Sequence, residues 1–357
     1  MGAIIKREVW NYMKNPILWI GFVVMVILMG QLLSPYLTLH YFKTGTELAE
    51  LSVEELADAD IMQGYIPASK EQQMANAYKK LKQVFIETMG YSEQEAETII
   101  KELEEKELSA IELDQYLEEH YSYLDGYWLV EEAAFYRGTI EEANAHIKEK
   151  MEEHPYSYYF SRKFADFGGL LMGFFAMVML AFLFIWDTKN DIYELLHTKP
   201  IPAGIYILGK IIGGFLVMFM ILVVLNIIFG AACGIVGRKN GLPIRAFDIP
   251  IASLLYIVPN IMMIACIYTV ISLLFKNPYP AIPLLFLYIV YSNMGSRGPD
   301  GIYGYYGRPL AIMVRFPGRF LDTTPPPLVL WNQVFLIIAS IIMACFSVWL
   351  WKRRRVY

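Results

Sequence analysis

The sequence predicts an all-α polytopic membrane protein of six transmembrane helices, with a helical extracytoplasmic domain inserted between spans one and two. Apolar runs recur in membrane-crossing lengths near 16–36, 164–186, 205–236, 249–275 and 328–351, with a shorter one at 280–293. About 20 mostly apolar residues carry a helix across roughly 30 Å of hydrocarbon. Charge is segregated: residues 43–162 hold 27 acidic and 11 basic side chains, a net charge of −16, while the rest of the 357-residue chain carries +11. With 56% hydrophobic and 18% charged residues, the chain is too apolar for an ordinary soluble enzyme of its length.

Taken in order, residues 1–16 read as a cytoplasmic interfacial helix. Ile4, Ile5, Val9, Trp10 and Met13 are expected on one side, and Lys6, Arg7, Glu8, Asn11 and Lys14 on the other, a pattern suited to lying in the membrane interface. Residues 17–42 form the first transmembrane helix and its exit. Residues 43–162 form the extracytoplasmic domain. Residues 163–357 supply spans two to six, with a loop at 187–204 and an outer connection at 294–327. The run at 280–293 is short for a crossing and leads into a Gly-rich stretch, where broken helix is tolerated if protein or a watery cavity shields its backbone.

The insert reads as a small all-helical domain because one capping signature recurs in it five times: Ser52/Glu55, Ser69/Gln72, Ser92/Glu95, Ser109/Glu112 and Thr139/Glu142. In each, the hydroxyl accepts from the third backbone N–H while the Glu or Gln accepts from the cap N–H, so two orphan donors at a helix start are satisfied. Ala77, Leu81, Phe85 and Met89, then Ile99, Ile100 and Leu103, make narrow apolar stripes on these charged helices. The aromatic residues Tyr121, Tyr123, Tyr127, Trp128, Phe135, Tyr136, Tyr156, Tyr158, Tyr159 and Phe160 are expected to form the core of this domain and its seat on the membrane surface, with ligand binding as the alternative. All three cysteines, Cys233, Cys266 and Cys345, fall in predicted spans, so no disulfide framework holds the insert.

Basic residues favour the cytoplasmic side of short loops. With both termini inside, 11 basic residues of the short flanks are cytoplasmic and seven are outside, and the Lys352-Arg353-Arg354-Arg355 cluster beside Trp349 and Trp351 casts the strongest vote. The acidic insert is then outside. Its sign argues against a nucleic-acid or anionic-lipid partner for the insert, because phosphate binding needs positive charge, and no nucleic acid is expected as a partner.

Catalytic signatures are missing from the sequence. It has no complete phosphate-binding loop, no His-Glu-x-x-His pair and no Gly-x-Ser-x-Gly elbow; Gly204 and Gly209-Lys210 come nearest but lead into Ile211. The five histidines are scattered without metal-pair spacing, so no metal site is expected. Ionisable residues in the spans are few, with Asp166 and Lys210 near span ends, which leaves an ion-driven pathway little to work with. A partner that hydrolyses nucleotide is the natural source of energy.

The loop after the second span, from Trp186 through Leu195-Leu196-His197-Thr198-Lys199-Pro200-Ile201-Pro202, reads as a short helix stopped by two prolines; a plain interhelical connection is the alternative. Together with Ile4-Ile5-Lys6-Arg7-Glu8, Asn15-Pro16 and Gly209-Lys210, and with the order of spans and insert, this loop resembles those of the membrane subunits of type-2 ABC exporters. The resemblance covers nearly the whole chain except the insert. It implies a non-catalytic permease subunit that pairs with a second permease subunit, identical or paralogous, above a cytoplasmic ABC ATPase holding ATP and Mg, all in contact with membrane lipid. It also makes the loop a coupling helix, with Asp191, Tyr193, Glu194, Leu195, His197, Thr198, Lys199 and Pro200 at the ATPase interface and Lys6, Arg7, Glu8 and Trp10 in the interfacial helix beside it. The large insert departs from the compact lipid and polysaccharide exporters and fits relatives that export or remove peptides, antibiotics or lipid-like cargo.

The glycines, tyrosines and arginines of the outer connection suggest an exit gate around Arg297, Tyr303, Tyr305 and Arg308. Arg297, Arg308, Arg315 and Arg319 are expected to meet lipid phosphates or an anionic peptide, or to pair with the acidic insert. The rival functional reading is a membrane-anchored sensor or scaffold whose outer domain binds a peptide.

Overall fold

A computed structural model describes residues 1–44, 59–188, 201–297, 303–304 and 307–353. The chain divides into two compact units, one of residues 1–39 and 151–357 and one of residues 40–150. Helices dominate both.

The larger unit opens with α1 (Gly2–Met13) and α2 (Pro16–Leu33). Asn15 separates them: its Oδ1 accepts from the Ile17 amide at 3.0 Å, and Pro16 takes the first helical position, where the missing N–H costs nothing. Then come α8 (Tyr156–Met179), α9 (Phe182–Thr188), α10 (Ala203–Asn240), α11 (Asp248–Tyr256), α12 (Val258–Phe275), α13 (Ala281–Asn293) and α14 (Val329–Arg353). Among the described residues, five segments are long and apolar enough to cross a membrane: Pro16–Leu33, Tyr156–Ile185, Ala203–Asn240, Asp248–Phe275 and Val329–Arg353. This is an all-α polytopic membrane architecture. The second of these helices starts at Tyr156, ahead of the apolar run at 164, because the aromatic residues of its first turns are buried within this unit.

The smallest of the apolar helices is α13, whose 13 residues span about 20 Å and so fall short of the hydrocarbon thickness. After it the chain forms a two-residue hairpin, β3 (Ser296–Arg297) with β4 (Tyr303–Gly304), and then an irregular segment. That segment is not a loose cap. Ile312, Met313, Val314 and Phe316 are buried, and a Cβ added at Gly173 of α8 would lie 1.9 Å from the Met313 methyl. Side chains satisfy its backbone: Ser292 Oγ accepts from the Ile312 amide at 2.9 Å, while the Tyr288 and Tyr291 hydroxyls and Asn332 donate to the carbonyls of Leu310, Pro309 and Arg308. Irregular backbone among spans requires such cover.

The smaller unit contains β1 (Tyr65–Pro67), α3 (Lys70–Glu87), α4 (Glu93–Glu105), α5 (Ala110–Tyr121), α6 (Gly126–Glu132), β2 (Phe135–Arg137) and most of α7 (Ile140–Glu153). Ser69, Ser92 and Ser109 form the expected reciprocal caps, and the Thr139 hydroxyl accepts from the Glu142 amide while Glu142 accepts from the Thr139 amide. Ser52 lies outside the described residues. The core gathers Leu81, Phe85, Ile100, Leu103, Leu117 and Leu129, with Tyr121 and Tyr123 packed against it. A fully buried Phe or Leu contributes on the order of 2 kcal/mol, which suits a domain without disulfides.

Two expectations for this unit are corrected. It is not all-helical: β1 and β2 pair antiparallel with Ile66 opposite Tyr136, since a Tyr-Ile-Pro and a Phe-Tyr-Arg tripeptide, apolar and short, pair more readily than either extends a helix. The aromatic residues also do not form one cluster. Tyr156, Tyr159 and Phe160 are buried in the larger unit, where Tyr156 and Tyr159 pack against Phe320, whereas Trp128 is 60% exposed.

Candidate transmission site

Where α1 meets α10, glycine sets the distance. A Cβ at Gly209 would come within 2.9 Å of Ile4, and one at Gly213 within 2.6 Å of the Glu8 Cβ, so only glycine lets the two helices approach this closely. Ile4, Glu8 and Tyr12 stand one above another on the inner face of α1, at the four-residue spacing of a helical stripe. Gly214 receives Leu180 and Leu183 in the same way from the α8–α9 side.

Into this junction projects Lys210. Its ammonium lies 3.0 Å from Glu8 Oε1 and donates to the Leu183 carbonyl at 2.8 Å, and it sits 5.2 Å from the Phe184 ring centroid. Both charged side chains are almost completely buried, at 2% and 3% exposure. One cation therefore ties α1, α9 and α10 together. The Tyr12 hydroxyl, buried beside this pair, has its pKa raised by desolvation and further by the Glu8 carboxylate.

A second polar cluster lies between α8, the end of α13 and the irregular segment. Arg315 pairs with the buried Asp166 carboxylate and donates to Asn293 Oδ1 at 2.8 Å. Lys163, also buried, donates to the Gly318 carbonyl at 2.7 Å. Arg308 donates to the Met294 and Gly295 carbonyls and covers the Tyr291 ring at 5.4 Å from its centroid.

These positions revise several expectations. Within α1, Lys6, Arg7 and Trp10 are exposed, with the Lys14 ammonium 4.8 Å from the Trp10 ring centroid, whereas Glu8 is buried. Pattern reading put Glu8 with the solvated charges because a carboxylate is seldom buried unless paired, and its partner lies two hundred residues away in sequence. Arg315 pairs with Asp166 of α8. Of the gate residues, Arg297 and Tyr303 are register partners in the β3–β4 hairpin, Arg308 braces the chain after α13, and Tyr305 lies outside the described residues. Asp191, Tyr193, Glu194, Leu195, His197, Thr198, Lys199 and Pro200 also lie outside them. Sequence reading named Gly209 and Lys210 at the start of the third span but missed the pairing of Lys210 with Glu8, and missed Tyr12 and Gly213, although the spacing Gly209-Lys210-x-x-Gly213-Gly214 was there to suggest a close helix contact. Among the described residues, no group of His, Cys, Asp and Glu is placed to hold a metal ion.

Comparison with curated proteins and with solved structures gives no match. The profile of one family, described as ABC-2 family transporter protein, matches residues 2–303, which take in the α1–α10 junction and, among the described residues, five of the six apolar helices longer than ten residues that follow α1. The chain therefore belongs to the ABC-2 transporter family and is a membrane-spanning permease component of an ABC transporter, a class that works with an ABC ATPase.

Proposed function

We propose that the chain is the permease half of an ATP-driven exporter that moves a peptide, antibiotic or lipid-like substrate out of the cell or out of its membrane. The observation that carries this reading is the Glu8–Lys210–Leu183 junction: a rigid connection between the interfacial helix, the end of span two and the start of span three, next to the loop a moving ATPase would push. α13 and the irregular segment after it together serve as the fifth of six spans. Both termini are cytoplasmic, in keeping with the basic cluster at 352–355, and residues 43–162 are extracytoplasmic.

In this reading two permease subunits, identical or paralogous, pair in the membrane. Two ATPases bind below and hold the ATP and Mg, and the permease itself does no catalysis. Asp191, Tyr193, Glu194, Leu195, His197, Thr198, Lys199 and Pro200 contact the ATPase. Arg308, Arg297 and Tyr303 frame the exit, supported by the hairpin and by the bonds of Arg308 to the chain after α13.

The test is recruitment. An ABC ATPase is expected to co-purify with the unaltered protein, and Glu194→Arg or Leu195→Asp is expected to abolish ATP-dependent transport or recruitment while membrane insertion persists. Glu104→Arg, on the insert, is expected to leave recruitment intact. If no ATPase co-purifies, or if reversal in the loop acts no more strongly than reversal in the insert, the sensor reading takes its place.

A further inference from the structure

Between α10 and α11 lies a trough of about 970 Å³ that the transport reading does not use. Its wall follows α10 from Phe219 to Arg238, about five turns, and is completed by the α10–α11 connection, α11 and the start of α12. The lining is apolar, with Ile227 and Ile235 among the most exposed residues of α10 and Leu254 on the facing helix. A volume of this size lies at the upper end of small-molecule sites.

The few polar groups inside are already occupied with one another. Asn226 Nδ2 donates to the Leu222 carbonyl, and its Oδ1 accepts from the Ser253 hydroxyl at 3.0 Å. The Ser157 hydroxyl donates to Asp248 and accepts from the Arg245 amide. A guest therefore meets hydrocarbon along the trough. At its end the situation reverses: Arg238 and Arg245 are exposed, and neither guanidinium forms an ion pair or hydrogen bond among the described residues. Lys239, next to Arg238 in the chain, is a further exposed cation, and the Asp248 carboxylate accepts from the Ser157 hydroxyl.

The geometry points to a bound anionic phospholipid, its acyl chains in the α10–α11 trough and its phosphate held by Arg238 and Arg245. An apolar trough on a membrane helix is filled by hydrocarbon, and two unspent guanidinium groups at one end select the molecule that brings a negative headgroup with it. A second copy of this chain fits less well, because two-fold pairing through this face would bring its cations together with those of its partner. The inference rests on the chain being a membrane protein and is independent of what is transported. Its readout is a lipid count, so its failure leaves the permease reading untouched.

The experiment uses the full chain, reconstituted in bilayers of equal parts phosphatidylglycerol and phosphatidylcholine, gently released and weighed by native mass spectrometry. Retained lipid is expected to be mainly phosphatidylglycerol. Arg238→Gln combined with Arg245→Gln is expected to lower the phosphatidylglycerol preference about thirtyfold, from the contribution of two basic residues near an anionic surface. Gly234→Phe tests the trough itself. A Cβ there meets nothing within 4 Å, so the ring can enter the space without displacing the helix, and both lipids should be lost. Inorganic phosphate added alone should not displace the lipid. Unchanged preference in the arginine variant, or retention of lipid by Gly234→Phe, overturns the proposal. So does a dimer that Gly234→Phe converts to monomer, which would make the occupant a second copy.

Discussion

The Glu8 carboxylate lies 3.0 Å from the Lys210 ammonium with both side chains shut away from solvent, although one sits in the first helix of the chain and the other in the middle of the sequence. Removing one partner from a buried pair leaves an unpaired charge, which costs on the order of 3–5 kcal/mol, whereas neutralising both costs much less. Glu8→Gln and Lys210→Met should therefore each lower the thermal midpoint of the purified protein by several degrees. The double variant should be more stable than the sum of the two losses implies. A double-mutant cycle reads the coupling directly, and additive effects would show that the pair contributes nothing as a pair.

The glycines of the junction give a second prediction. Gly213→Val places a branched side chain where a Cβ alone would already lie 2.6 Å from Glu8, so α1 must leave its seat on α10. The expected result is loss of a disulfide cross-link engineered between the two helices, with loss of ATP-dependent transport. Gly234→Ala, on the same helix with nothing within 4 Å of its added Cβ, serves as the control and should leave the cross-link unchanged.

Asp166 and Arg315 form the corresponding pair near the other end of the spans. Arg315→Met strands a buried carboxylate and should destabilise the protein by about 3 kcal/mol. Asp166→Asn in the same chain should recover most of that loss, because an amide can remain buried beside Lys163 and Asn293 without a counter-charge. Thermal unfolding in detergent distinguishes rescue from simple addition, and equal instability of single and double variants would exclude the ion pair as the cause.

How legible these features were in the sequence depended on their range. Helix starts at Ser69, Ser92 and Ser109 were readable because a capping box is complete within four residues. The spans were readable because hydropathy is a sum over neighbours. Glu8 was not, since its environment is created by Lys210 and by the absence of a side chain at Gly213. The irregular segment at 308–322 was hidden for the same reason: its buried backbone is satisfied by Ser292, Tyr288, Tyr291 and Asn332, which belong to helices on either side of it in the chain. The β1–β2 pair joins tripeptides seventy residues apart, each too short to show a period.

The caps of the smaller unit yield a pH prediction. Glu95 and Glu112 are held below the ordinary carboxylate range, first by the side-chain hydrogen bonds from Ser92 and Ser109 and then by the backbone amides of the same residues. Because the folded groups titrate lower than the unfolded ones, their stabilisation is fully present above the ordinary carboxylate range and is lost as pH falls through their own lower range. Residues 40–150, expressed alone, should fold as a helical domain without oxidant, and its thermal midpoint should decline on acidification through that window. Glu95→Gln with Glu112→Gln preserves the reciprocal cap geometry but removes the two titrations, so the decline should become shallower. An unchanged slope would assign the acid sensitivity to the other carboxylates of this domain, such as Glu97, which Lys101 and Lys82 hold low in the same manner.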